Sequence, residues 1–187
     1  MKNNILLIVG ISLFILLITS SHMLLNVSGS SEEVEEKVVS NGENIKYNGQ
    51  FLTPVENYIK VSSKYGIRIH PLTKKQSFHT GIDLVGESGS YILSISNGVV
   101  FKISKSNIYG NTIEIRHTDE NGNTFYSFYA HLRDNSIIVE ENQPIKEGQR
   151  IGIQGSTGWS TGDHLHFEIR KSNHDHIDPT EFLFERI

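Results

Sequence analysis

Cysteine is missing from all 187 residues. That absence excludes a disulfide framework, a thiolate ligand to a metal and a lipid-modified cysteine at a cleavage site. A basic run is also missing, and the formal net charge is −4, which argues against nucleic acid as a partner. Beyond the N-terminal segment no stretch keeps a long 3.6-residue apolar period, and there is no internal repeat, so helical bundles and solenoids are excluded.

One long apolar run does occur, at the N-terminus. Lys2 precedes residues 5–18, which have the length of a signal-peptide core, and the apolar character continues through Val27. No cleavage site is as clear as Ala-x-Ala, so residues 1–27 read as an uncleaved hydrophobic helix, with a removed signal peptide as the alternative. Lys2 on one flank and Glu32, Glu33, Glu35 and Glu36 on the other place the C-terminal domain outside the cytoplasm. Residues 28–48 are polar and acidic and read as a solvated tether. About 140 residues remain, 49–187, enough for one domain with a substantial core.

That domain reads as strands and turns. Residues 91–95 and 99–104 flank Asn97-Gly98, and residues 112–117 and 124–132 flank Asn121-Gly122, two candidate hairpins. Residues 137–139, 149–154 and 164–170 supply further strands. Asp178-Pro179-Thr180-Glu181 starts one helical turn that packs Phe182 and Leu183 onto the domain. The expected class is all-β and antiparallel, with a two-sheet core.

Nine histidines are present, and their positions carry the chemistry. In residues 164–170, Leu165, Phe167 and Ile169 share one parity and His164, His166, Glu168 and Arg170 the other. The apolar set can enter a core while both imidazoles project from the opposite face, roughly 6.6–7 Å apart at Cα. Either both approach one metal ion, or one binds it while its neighbour works on a substrate. His79-Thr80-Gly81-Ile82-Asp83 is a second half-site. On an extended backbone residues 79, 81 and 83 share a face, and Gly81 would leave open space for an ion between imidazole and carboxylate. Together the segments offer a nitrogen and oxygen ligand set that suits zinc, with a position left for water. His131, in Tyr129-Ala130-His131-Leu132, shares parity with Ser127 and Tyr129 and joins the candidates only because the other two segments exist. His117 reads as structural and His174-Asp175-His176 as a solvated loop. His70 either lines a cleft or braces the Pro71 turn.

With these segments in hand, the chain resembles the lysostaphin-like (LytM-type) zinc endopeptidases, which cut peptide bonds in bacterial peptidoglycan. The likeness covers residues 51–183. It rests on Tyr65-Gly66-Ile67-Arg68-Ile69-His70-Pro71, Phe78-His79-Thr80-Gly81-Ile82-Asp83, Tyr129-Ala130-His131-Leu132, Glu147-Gly148-Gln149-Arg150-Ile151-Gly152, and Gly155-Ser156-Thr157-Gly158 followed by His164-Leu165-His166-Phe167. The resemblance implies one zinc ion on His79, Asp83 and His166, with His131 and His164 as an unligated catalytic pair. It also implies peptidoglycan as substrate and a place in the bacterial cell envelope, membrane-anchored or secreted. Two departures stand out. Asp163 precedes His164 where the family usually has proline, and Thr73 replaces the tyrosine that glycine-cutting members carry six residues before the first ligand. Arg68-x-His70-Pro71 resembles instead the branch that cuts stem-peptide cross-links, which makes Arg68 and His70 candidate substrate-binding residues. The rival reading is a non-catalytic envelope protein of the same fold that docks a partner or grips peptidoglycan.

Overall fold

Alternation along the strands decides which face the sheet buries. The computed structural model describes residues 51–184; the apolar leader (1–27) and the tether (28–48) lie outside the described residues. In chain order the elements are β1 (Tyr58–Ser63), β2 (Gly66–Ile69), β3 (Gln76–His79), β4 (Ile82–Gly86), β5 (Tyr91–Leu93), β6 (Gly98–Ser106), β7 (Gly110–Thr118), β8 (Thr124–Leu132), β9 (Pro144–Ile145), β10 (Arg150–Ile153), β11 (Leu165–Lys171), β12 (His176–Ile177) and α1 (Thr180–Leu183). One antiparallel sheet runs in the order β1-β4-β11-β8-β7-β6-β9, and β12 joins it as an eighth strand against β11. β5 with β10, and β2 with β3, form two separate two-stranded sheets. The expected all-β, antiparallel class holds, with short pairs in place of a full second sheet.

Leu165, Phe167 and Ile169 of β11 share one core with Ile82 and Leu84 of β4, Tyr129 of β8 and Ile113 and Ile115 of β7, none of them exposed. Ile92 of β5 and Ile151 of β10 fill that core from the second layer. Each such side chain contributes about 1.5–3 kcal/mol through burial. The other face of β11 carries His166, Glu168 and Arg170, as its alternation predicts. Asp178 accepts the Thr180 amide (2.9 Å), and the single turn of α1 buries Phe182 and Leu183, with Phe182 stacked on Phe51 at 5.7 Å.

The hairpin at Asn121-Gly122 forms between β7 and β8, with Gly122 at φ 84°. The one at Asn97-Gly98 does not, because β5 pairs with β10 while β6 pairs with β7 and β9. The dipeptide crosses between layers instead: the Asn97 carbonyl accepts from His117 Nδ1 (2.8 Å) and its Oδ1 from the Glu147 amide (3.0 Å). Residues 137–139 form no strand; the Ile138 amide donates to Ile151 O at 3.2 Å without a continuing ladder.

Gly81 also differs from expectation. A Cβ there would lie 2.2 Å from Phe167 O and 2.8 Å from Glu168 Cγ, so the space beside it belongs to β11 and not to an ion. Glycine lets the bend between β3 and β4 press directly on β11. Gly81→Ala is therefore expected to cost about 1–3 kcal/mol in a thermal unfolding measurement, by forcing two backbones apart. An unchanged midpoint would mean that β11 yields freely.

Candidate metal centre and cleft

Two different sheets deliver the His79 and Asp83 half-site. His79 ends β3, the chain bends at Thr80-Gly81, and Asp83 enters the main sheet on β4, so the two are not on one strand. On β4 and β11, Asp83 stands directly opposite His166. The three side chains converge below the surface, with His79 Nε2 3.0 Å from His166 Nδ1, His166 Nδ1 3.0 Å from Asp83 Oδ1, and His79 Nε2 3.1 Å from Asp83 Oδ1.

The remaining polar atom of each residue is engaged elsewhere. His79 Nδ1 meets Lys64 O at 2.8 Å, a contact only an N–H can make, and His166 Nε2 meets Glu168 Oε1 at 2.9 Å. Asp83 Oδ2 accepts from Arg68 Nη1 at 2.8 Å. With both imidazoles neutral and the His166 proton on Nε2, two nitrogen lone pairs and a carboxylate oxygen face one another with no hydrogen between them. Such a buried triangle of acceptors requires a positive charge at its centre. Protonation can supply it. Burial disfavours the His166 imidazolium, but Asp83 and Glu168 on either side overcome this and raise its pKa. Burial likewise opposes ionisation of Asp83, yet the contacts from His166 and His79 hold it well below the usual carboxylate range. A divalent cation can supply the charge as well. Tetrahedral zinc with nitrogen and oxygen ligands at about 2.0–2.1 Å has ligand atoms about 3.3 Å apart, close to the three edges found here. The residues present fit the ion.

His131 and His164 stand beside this triangle. Their ring centroids are 4.8 Å apart, and that of His131 is 5.9 Å from His166. His131 Nδ1 donates to Thr157 O (2.7 Å) and His164 Nδ1 to Gly162 O (2.8 Å), leaving Nε2 as the open nitrogen of each. His164 Nε2 lies 3.7 Å from Asp83 Oδ1. Burial first, and then the neighbouring His164, lowers the pKa of His131 to about 4, so it is unprotonated at neutral pH.

Strand parity does not explain where His131 points. The β7–β8 ladder shifts register between Asn111 and Ile113, and His131 adopts φ 63°, so a bulge turns its ring out of the alternation. Thr157 is held for its part by Gly158 and Gly110, both at positive φ and packed backbone to backbone.

A cleft of about 570 Å³ opens above the triangle, between the β2–β3 hairpin and the loop of residues 155–163. His70 lines it and also braces its turn, because Nδ1 accepts the amides of Leu72 (3.2 Å) and Thr73 (3.3 Å). Its ring meets Trp159 edge-on at 6.0 Å across the cleft. Arg68 lines the cleft too, with its guanidinium on Asp83 and Ser63. Asp163 turns towards Arg133 (3.8 Å).

His117 is structural as expected, buried, with Nε2 2.6 Å from Ser127 Oγ. Burial lowers its pKa to about 4 from the usual 6.5. The unfolded chain therefore binds more protons than the folded one between about pH 6.5 and 4, and stability falls across that window as pH drops, by up to about 3 kcal/mol from this group. In His117→Gln the unfolding midpoint should fall less steeply over the same window; an identical slope would contradict the assignment. The solvated-loop reading of His174-Asp175-His176 holds for His174 and Asp175, which are exposed, and needs correction at His176. His176 lies in β12, half-buried, 3.3 Å from Glu168, and His174 stacks on Tyr126 at 5.0 Å. The half-burial of His176 comes from a two-residue strand too short for alternation to reveal.

The chain is similar to a known family and to several of its members. The model of peptidase family M23 matches residues 77–179, more than half of the chain. The peptidoglycan DD-endopeptidase ShyA of Vibrio cholerae is 37% identical over 117 residues, covering 62% of this chain and 26% of ShyA. The murein hydrolase activator NlpD of Escherichia coli is 38% identical over 107 residues, covering 57% and 26%. Among solved structures, a zinc-containing peptidase from Vibrio cholerae superposes with a TM-score of 0.61 at 32% identity, covering 71% of this chain and 40% of that one. The chain thus spans about a quarter of the length of these two curated relatives. A family match that begins just before His79 and runs past His166 takes in the whole acceptor triangle with both flanking imidazoles, and on it the chain belongs to peptidase family M23.

Proposed function

We propose that the chain is a zinc-dependent endopeptidase that hydrolyses peptide bonds in the stem peptides or cross-links of peptidoglycan. The observation that carries this reading is the buried triangle of acceptors with two open imidazole nitrogens beside it. His79 Nε2, His166 Nδ1 and Asp83 Oδ1 would hold one zinc ion. Bound there, zinc would supply a Lewis acid for a scissile carbonyl and for a water.

The chain's own groups do the rest. Lys64 O fixes the tautomer of His79, and Arg68 keeps Asp83 turned inward. His131, neutral and anchored through Nδ1, offers Nε2 to a proton of the attacking water. In its doubly protonated form His164 would aim Nε2–H at the developing oxyanion, and the proton that His131 takes from the water would pass to the leaving amine. The hairpin and the Trp159 loop wall the cleft in which a peptide would lie extended. Residues 1–27 would carry the domain outside the cytoplasm, where peptidoglycan is.

The docking reading has NlpD on its side, since that relative is an activator. Against it stand His131 and His164, because a protein that only grips a partner has no use for two open imidazoles at a cation site. Digestion of purified peptidoglycan by the zinc-loaded full chain, with mass analysis of the products, separates the two. The endopeptidase reading expects released peptides with new amino termini, and no release from any wall type would favour docking.

A further inference from the structure

We propose that Glu168 is a positioning residue for the metal centre, fixing the proton of His166 on Nε2 and clamping the Thr80-Gly81 bend that delivers His79. The inference rests on the zinc reading above for its purpose, but its geometry stands independently.

Glu168 follows His166 by two residues on the same face of β11 and is fully buried. Both of its oxygens are occupied. Oε1 accepts from His166 Nε2 (2.9 Å) and from Thr80 Oγ1 (2.5 Å). Oε2 accepts from Arg170 Nε (2.6 Å) and Nη2 (2.5 Å), with His176 Nε2 at 3.3 Å. Arg170 in turn reaches Glu114 Oε1 (2.9 Å) and lies over the Phe128 ring at 3.9 Å. A buried carboxylate tied into such a network adds little to stability compared with apolar residues of equal volume. Its partners show what else it does.

Two forces compete for the proton of a neutral His166. Asp83 Oδ1, 3.0 Å from Nδ1, would attract it to the nitrogen that faces the triangle. Glu168, ionised and able only to accept, attracts it to Nε2. With the proton on Nε2 the Nδ1 lone pair is free for a cation; with it on Nδ1 the site is blocked. The same carboxylate holds Thr80, the residue after His79, while Gly81 packs on its Cγ. One side chain thereby ties together the two half-sites that come from separate sheets. Partners of this kind, behind a ligating imidazole, set both ring orientation and basicity.

The test uses the full chain labelled with ¹⁵N in its histidines, in wild type, Glu168→Gln and Thr80→Val. Long-range ¹H–¹⁵N spectra of the metal-free protein, taken at a pH high enough to leave His166 a single ring proton, read its tautomer, and competition with a chelator reads zinc affinity. Wild type should show Nε2–H. Glu168→Gln should shift His166 towards Nδ1–H and weaken zinc binding by about 10–100-fold. Thr80→Val keeps the carboxylate and loses the clamp, so it should weaken zinc binding less while leaving the tautomer in place; it carries the test if Glu168→Gln does not fold. Wild-type zinc affinity in both variants overturns the proposal. So does weaker binding in Glu168→Gln with His166 still fully Nε2–H, since that would be general structural damage. A wild-type chain that binds no zinc would overturn the metal reading instead, and the tautomer would still decide the role of Glu168.

Discussion

His131→Ala is expected to leave zinc bound at one ion per chain while peptide hydrolysis falls by about 10²–10⁴-fold. The two readouts separate because His131 touches none of the three cation-facing atoms; its own anchor is Thr157 O, in the loop between β10 and β11. Truncation removes the open Nε2 and leaves His79, Asp83 and His166 with all their partners. Metal analysis and a peptidoglycan release assay on the same preparation check both halves. A zinc-loaded variant that retained turnover would remove His131 from the mechanism and leave proton transfer to His164 alone.

Asp83→Ala is expected to have the opposite signature, with metal and activity lost together. Asp83 supplies the only oxygen of the triangle and its only negative charge, and it holds Arg68 in place through Oδ2. Without it two imidazoles remain beside a cation, Arg68 Nη1, that has lost its carboxylate partner. Repulsion then adds to the missing ligand. Zinc should be absent from the purified variant, and hydrolysis should fall to the level of buffer. Asp83→Asn keeps the shape without the charge and should fall between the two. Zinc at full occupancy in Asp83→Ala would place the ion elsewhere.

Much of this arrangement is legible in the sequence, for reasons that vary by element. In β11 the alternation is strict, the apolar parity is fully buried, and both histidines of residues 164–170 face the site as parity requires. The hairpin between β7 and β8 forms because the two strands meet each other along one edge while their other edges take β6 and β11. Asn97-Gly98 has the same local chemistry, yet β5 finds β10 across the core, and long-range pairing overrides the turn. His131 lies beyond parity because a register shift and a left-handed backbone both intervene near the strand end. Gly81 is visible as a glycine with a purpose, but not which purpose: its neighbour is β11, and sequence distance hides that contact. Glu168 sits on the face that alternation assigns to it. What the sequence cannot show is that Thr80, Arg170 and His176 converge on it from three directions.

X-ray absorption at the zinc edge of the full chain tests the central claim most directly. The account predicts one zinc per chain with two imidazole nitrogens and a carboxylate oxygen at about 2.0–2.1 Å, and a solvent oxygen completing the shell. A shell closed by a third or fourth imidazole, or a chain that takes up no zinc, would contradict it.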